Sequence, residues 1–253
     1  MSLITALIPT FNREQQIRGC LESVKWADRI LVVDSYSTDA TLDICREYTD
    51  DIHQHEYVNS KSQKNWALQF VTTEWVIQVE SDERVDPALA DEIRQAINAN
   101  PPEDGFWILI KNLIWGRHVR WPRRYACIQI RLFRAAKGRW ADRAVHARLE
   151  GISKAGELQN AIIHHDVEDV SEELAQFAEQ VIHWEHEELM RKGKRWRWWD
   201  VTLRPVAIFL LCYLWRGGWR NGFRGYYFSM WRAIYSFLVH TKVYEEEVKR
   251  GIR

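Results

Sequence analysis

Three features of the 253-residue chain predict an α/β fold with a parallel sheet at its N-terminal end. Short apolar runs, each closed by a polar residue or proline, alternate with segments of helical period through the first hundred residues. Polar clusters stand where those runs end. Beyond residue 100 the pattern becomes β-rich, as in a mixed sheet, and from residue 191 it turns basic and aromatic. The predicted organisation is a sheet domain over 1–190, its halves meeting near residue 100, followed by amphipathic helices over 191–253.

Leu3 to Ile8, closed by Pro9, and Ile30 to Val33, closed by Asp34, read as buried strands. Between them Ile17, Leu21 and Val24 recur at helical spacing, with Asn12 as the expected N-cap. After Asp34 a second helix is expected, capped by Ser37, Thr38 or Asp39 and apolar at Leu42, Ile44 and Tyr48. A helix around Ser62 to Val71, a strand from Trp75 to Val79, an acidic turn Glu80-Ser-Asp-Glu83 and a helix opening at Asp86-Pro87 complete the first half. Open parallel sheets bind ligands beyond the carboxyl ends of their strands, and Thr10, Asp34 and the acidic turn share that edge. Phe106 to Ile110 and Ile128 to Phe133 read as later strands, and a long helix is expected from about Ser171 to Lys192, ended by Gly193.

A content of 46% apolar residues with only 12 Gly and 6 Pro excludes a disordered or collagenous chain. The four cysteines form no CxxC pair, so neither a zinc knuckle nor a disulfide framework is expected, and a reducing compartment fits. No charged region precedes the first apolar residues, which argues against a secretory signal. The longest apolar run, Val206 to Trp215, is about half of the roughly twenty residues that a spanning helix needs. A cytoplasmic protein, peripheral on the inner face of the membrane, is therefore expected. The charges, 35 basic against 35 acidic, are polarised along the chain: residues 1–100 carry 9 Lys and Arg against 17 Asp and Glu, whereas residues 191–232 carry ten against Asp200 alone.

Two carboxylates one residue apart, Glu80 and Asp82, at the end of a buried strand can share a divalent cation, Mg²⁺ or Mn²⁺, because hard oxygen ligands suit both ions. Taken alone, such a turn reads more readily as solvated turn chemistry. Its context is the order Ile8-Pro-Thr-Phe-Asn12, Trp26 to Thr41 with Asp34 inside it, Lys64-Asn65 and Trp75 to Glu83. In these four motifs the chain resembles the family 2 glycosyltransferases, which have a GT-A fold. Arg131-Leu-Phe-Arg134, Val145-His146, Ile163-His164 and the aromatic tail extend the likeness to the lipopolysaccharide core β-1,4-glucosyltransferase group.

That resemblance implies a Rossmann-like nucleotide-sugar domain, with Pro9, Thr10 and Asn12 lining the nucleoside pocket and Asp34 meeting the base. Lys64, where the family usually has arginine, would contact the nucleotide without the planar fork of a guanidinium. Asp82 matches the metal-binding end of the family's Asp-x-Asp, and His164 matches a histidine that can complete the metal site; the other reading of His164 is a hydrogen-bonded strand end. Two departures stand out: Glu80 replaces the first aspartate, and Val145-His146-Ala147 lacks the carboxylate of the family's Val-His-Glu. For the base that takes the acceptor proton, Asp142, His146 and Glu150 are the candidates, Asp142 first by residue type and position, with Glu83 also open.

The implied activity is an inverting, metal-dependent transfer of a hexose from a nucleotide sugar, UDP-glucose or similar, to a lipid-linked glycan such as the lipopolysaccharide core. A polyprenyl phosphate acceptor, or a nucleotide-sugar binder without catalysis, are the rival readings. The tail, with six tryptophans between Arg191 and Arg232, suits an anionic membrane surface; it lacks a nucleic-acid module, and core packing is its plain alternative.

Overall fold

The computed structural model describes residues 2–122, 127–141, 149–167, 169–171, 174, 186 and 189–252. They form two compact units, residues 1–112 with 127–166 and residues 113–126 with 167–253. The division differs from the one expected at residue 190, because the strands up to residue 166 join the N-terminal strands in one sheet.

In the first unit β1 (Ile4–Thr10) lies parallel between β2 (Arg29–Asp34) and, on its other side, the strand Trp75–Gln78, with β3 (Ile52–Gln54) parallel outside β2. The connecting helices are α1 (Ile17–Ser23), α2 (Thr41–Arg46) and α3 (Ser60–Ala67). Trp75–Gln78 is β4, followed by β5 (Glu83–Val85) and α4 (Pro87–Asn98). Successive side chains of β1 point to opposite faces. Ile4, Ala6 and Ile8 pack with Ile17 and Leu21 of α1 and Ile93 and Ile97 of α4, while Leu7 packs with Leu31, Val33 and Val76 on the other face. Burial of both faces explains the unbroken apolar runs, and each fully buried Ile or Leu contributes about 1.5–3 kcal/mol.

The sheet becomes mixed through β6 (Gly105–Ile114) and, after β7 (Arg117–His118), β8 (Cys127–Arg134), which pairs antiparallel with both β4 and β6. A ribbon of β9 (Arg139–Trp140) and β10 (Leu149–Glu150) follows. Beyond β6 lies β11 (Ala155–Val167), antiparallel to β5.

The helix starts depart from expectation in instructive ways. Asn12 does not cap α1, which begins at Ile17; it adopts φ 48°, a left-handed conformation asparagine tolerates, and accepts from Thr38 N at 2.8 Å. Asp39 lies ahead of α2 and accepts from Thr41 N at 3.0 Å. Asn59 and Ser62 form a capping box on α3, which starts at Ser60 and ends in a 3₁₀ turn, Leu68–Phe70. Asp86 caps α4 as expected, with Pro87 in the first helical turn. The expected helix from Ser171 lies largely outside the described residues. Its end is as predicted: Gly193 sits at φ 70° and its N–H donates to Met190 O at 2.9 Å.

In the second unit β7 pairs with the last residues of β6, and helices α5 (Trp198–Val201), α6 (Leu203–Leu210) and α7 (Gly222–Lys249) follow. A π-helical turn, Leu211–Trp215, and a 3₁₀ turn, Gly218–Asn221, link α6 to α7, and the two helices pack together. The close approach of the 3₁₀ turn to the start of α7 depends on glycine, since a Cβ on Gly225 would lie 1.9 Å from Gly218 O. The expected amphipathic segments Val206 to Trp215 and Tyr226 to Val239 are thus helical. Among the described residues no helix is long and apolar enough to cross a membrane.

Candidate active site at the strand ends

β1 and β2 end side by side with Thr10 opposite Asp34, and Ser35 N donates to Thr10 O at 3.0 Å. Asp34 is fully buried, and its carboxylate accepts from Ser37 N at 2.9 Å, from Ser37 Oγ and from Gln54 Nε2 at 3.0 Å. These bonds fold residues 35–38 back, place Tyr36 at φ 63°, and bring Ser37 Oγ within 2.8 Å of Asn12 N. Pro9, Thr10, Asn12 and Asp34 are therefore gathered at one edge. Asp34 holds the loop that forms that edge with both carboxylate oxygens engaged. Thr10 Oγ1 is buried there without a hydrogen-bond partner among the described residues.

The capping box fixes the start of α3, and the helix carries three polar residues toward the same edge. Gln63 Nε2 donates to Ser35 Oγ at 2.9 Å. Asn65 exchanges two 2.9 Å hydrogen bonds with the backbone of Trp140, tying α3 to β9. Lys64 Nζ lies 2.6 Å from Glu80 Oε1 and 5.9 Å from the centre of the Trp140 ring.

The acidic turn divides its carboxylates between two tasks. Antiparallel pairing of β4 with β8 brings Arg131 to Gln78, to which its Nη1 donates, while Nη2 lies 2.8 Å from Glu83 Oε1 and Nη1 lies 3.6 Å from Glu80. Burial pushes the Glu83 carboxyl up despite the arginine. Burial acts upward on Glu80 too, but the Lys64 and Arg131 charges outweigh it and hold that carboxyl below the usual range. Asp82 is placed differently. The pairing of β5 with β11 sets His164 opposite Glu83 and leaves its Nε2 3.5 Å from Asp82 Oδ1. Asp82 Oδ1 is buried and has no hydrogen-bond partner among the described residues. Burial would raise the Asp82 carboxyl; His164 and, more distantly, Arg13 outweigh it and keep it low.

Glu80, expected to share a cation with Asp82, lies here against two cations of the protein, Lys64 and Arg131. Asp82 offers a hard oxygen of the kind that suits Mg²⁺ or Mn²⁺, and the imidazole of His164, a softer nitrogen donor, lies beside it. Among the described residues no group of three or more His, Cys, Asp or Glu is placed to hold a metal ion by itself. The Asp82 carboxylate fits an ion held by one protein oxygen whose other ligands are phosphate oxygens and water, a frequent arrangement for Mg²⁺, with His164 placed to add a nitrogen ligand.

Glu83, open as a base candidate, is buried against Arg131. Glu150 is exposed on β10, opposite Arg139. Asp142, His146 and Ala147 lie outside the described residues. Sequence reasoning missed Gln78 and Arg131 as the partners that hold the turn. The signal was present as polar residues inside two apolar runs, Gln78 within Trp75–Val79 and Arg131, with Gln129, within Ile128–Phe133.

A Rossmann-like half with parallel strands, a mixed second half and an acidic turn at the strand ends define a glycosyltransferase of the GT-A fold. The pattern of glycosyl transferase family 2 matches residues 5–149, and the chain belongs to that family. It is 27% identical over 263 residues to the lipopolysaccharide core biosynthesis glycosyltransferase LpsC of Rhizobium meliloti (strain 1021), across 98% of this chain and 94% of that protein. An uncharacterized glycosyltransferase of Rickettsia felis is 26% identical across 98% of this chain and 92% of its own length. Among solved structures, S. aureus TarS 1–349 in complex with UDP-GlcNAc shares the fold, with a TM-score of 0.52, 15% identity and coverage of 98% of this chain and 92% of that one.

Proposed function

We propose that the protein transfers a hexose, with inversion, from a UDP-linked sugar to a lipid-linked glycan of the lipopolysaccharide core type, at the cytoplasmic face of the inner membrane. The facing pair Asp82 and His164, beside the edge built by Thr10 and Asp34, carries this reading. Likeness to LpsC supports the acceptor class, and the fold shared with UDP- and UDP-GlcNAc-bound TarS supports a UDP donor.

In this reading Pro9, Thr10 and Asn12 line the nucleoside pocket, and Asp34 supports the base site through the loop that it anchors. Asp82 and His164 hold a divalent cation, which when bound neutralises charge on the leaving diphosphate. Lys64 stands at the nucleotide side of the turn and fixes Glu80, so that Asp82 alone of the turn's acids is left to take the ion. Asp142, His146 or Glu150 accepts the proton of the attacking hydroxyl, Asp142 first by residue type. The basic and aromatic residues of 191–253 keep the enzyme at the anionic surface that carries its acceptor.

A panel of nucleotide sugars in a thermal-shift assay, with and without Mn²⁺, tests the donor, since a ligand of the native state raises apparent stability by mass action. A Mn²⁺-dependent rise confined to UDP and UDP-hexoses is expected. No rise with any of them overturns the donor assignment.

A further inference from the structure

The α6–α7 hairpin is built inside out. The buried residues of α7 are mostly small or polar, Gly225, Ser229, Ala233, Ser236, His240 and Glu247, with Val239 and Val243 the only large apolar residues among them. Large apolar side chains face outward. No residue of α6 is buried, although this helix is mostly apolar, and Leu203, Val206 and Leu210 recur on one side at three- and four-residue spacing. The side continues through Leu214, and the adjoining Trp215 is 72% exposed. In water a two-helix element gains stability by burying its leucines and leaving serine outside. The opposite distribution, small residues inside and large apolar residues outside, is the packing of helices whose surroundings are apolar.

The charges identify those surroundings. Residues 201–244 contain no Asp or Glu, whereas Arg204, Arg216, Arg220, Arg224, Arg232 and Lys242 lie within them. Asp200, just ahead, is buried and lies 3.3 Å from Lys194, so the exposed charge around the stripe is basic. Arg220 lies over the ring of Trp219, 5.1 Å from its centre, an arginine and tryptophan pairing suited to a headgroup layer.

We infer that the apolar stripe of α6 and the following π-helical turn inserts into one leaflet of an anionic bilayer, with the arginines at the headgroups, as a monotopic anchor that does not span. This deepens the membrane reading given above by assigning the contact to insertion of named side chains, beyond the electrostatic attraction of the basic tail. It does not depend on the donor or on turnover.

The test is flotation of the full-length protein with vesicles of phosphatidylcholine alone and of phosphatidylcholine with phosphatidylglycerol, at low and high salt. It compares wild type with the double variant Leu210→Glu and Leu214→Glu, in which neither replaced side chain is buried. Wild type is expected to bind the anionic vesicles and to stay partly bound in high salt, because insertion, unlike charge attraction, is not screened. The double variant should lose about tenfold or more in partitioning and the whole salt-resistant fraction, while circular dichroism and the UDP thermal shift remain as in wild type. Equal salt-resistant binding of the two proteins would overturn the inference. So would complete release of wild type by salt, or a wild-type dimer in vesicle-free solution that the variant abolishes, which would make the stripe an interface between two copies. If wild type floats but shows no UDP shift, the donor reading fails and the anchor stands.

Discussion

His164 meets Asp82 across the join of β5 and β11, its Nε2 3.5 Å from a carboxylate oxygen that is buried and has no hydrogen-bond partner among the described residues. Neither residue is reached from the other by local sequence; the antiparallel register that sets His164 opposite Glu83 makes the pair. Replacing His164 by alanine is expected to raise the Mn²⁺ concentration for half-maximal turnover about tenfold or more while leaving UDP-sugar selectivity unchanged. A Mn²⁺ titration of turnover measures this, and an unchanged midpoint would return His164 to the role of a strand-end residue.

Arg131 and Glu83 are both buried and lie 2.8 Å apart, so removing Arg131 leaves the Glu83 charge without its ion-pair partner. Arg131→Gln is expected to cost about 3–5 kcal/mol in urea unfolding. Combining it with Glu83→Gln should cost less than the two single losses added together, because the second change removes the stranded charge. Additive losses would show that the pair is not coupled.

Asp34→Ala should act on donor binding more than on chemistry. The carboxylate anchors Ser37 and Gln54, and in the proposed nucleoside pocket the loop so formed meets the donor equally in ground and transition states. Steady-state kinetics are expected to show KM for the donor raised about tenfold with kcat little changed, alongside a stability loss of about 1–3 kcal/mol from the orphaned donors. A fall in kcat at constant KM would move Asp34 to the reaction centre.

Acid stability depends on the tie between Asp28 and Arg94. The Arg94 hydrogen bond, at 2.8 Å, holds the Asp28 carboxyl below its usual 3.8, with Ile4 N donating to the same group at 2.8 Å. Because the folded value is depressed, the stabilisation is present above the ordinary value and disappears as pH falls through the lowered one. Asp28→Asn is expected to cost about 1 kcal/mol at neutral pH and to unfold with a shallower acid limb. Parallel acid limbs for variant and wild type would remove Asp28 from this role.

Much of the first half was legible because its signals are local. Apolar runs buried on both faces, Asp86-Pro87 at a helix start and Gly193 at a helix end each act within a few residues. Asn12 misled because its side chain binds Thr38 of the next loop, a contact that cap reasoning along one segment does not see. The surroundings of Glu80 were hidden for a related reason. Its charge is neutralised by Lys64 from α3 and Arg131 from β8, and only the order of strands in the sheet brings those two together. In the tail, composition indicated the basic and aromatic surface, but the reversal of apolar and small residues between the two sides of α7 depends on which side packs against α6.

Asp82 bears most on the reading of this protein as a metal-assisted transferase. UDP release from UDP-hexose in the presence of a lipid-linked core acceptor, followed as Mn²⁺ is titrated into wild type and Asp82→Asn, isolates its contribution. Wild type is expected to show saturable activation by Mn²⁺. The variant should turn over about a hundredfold or more slowly at every Mn²⁺ concentration, with an unfolding midpoint close to wild type, since the substitution removes a charged ligand and no core volume. Near wild-type rates for Asp82→Asn at limiting Mn²⁺ would contradict the assignment of this turn as the metal-holding, diphosphate-facing part of the site.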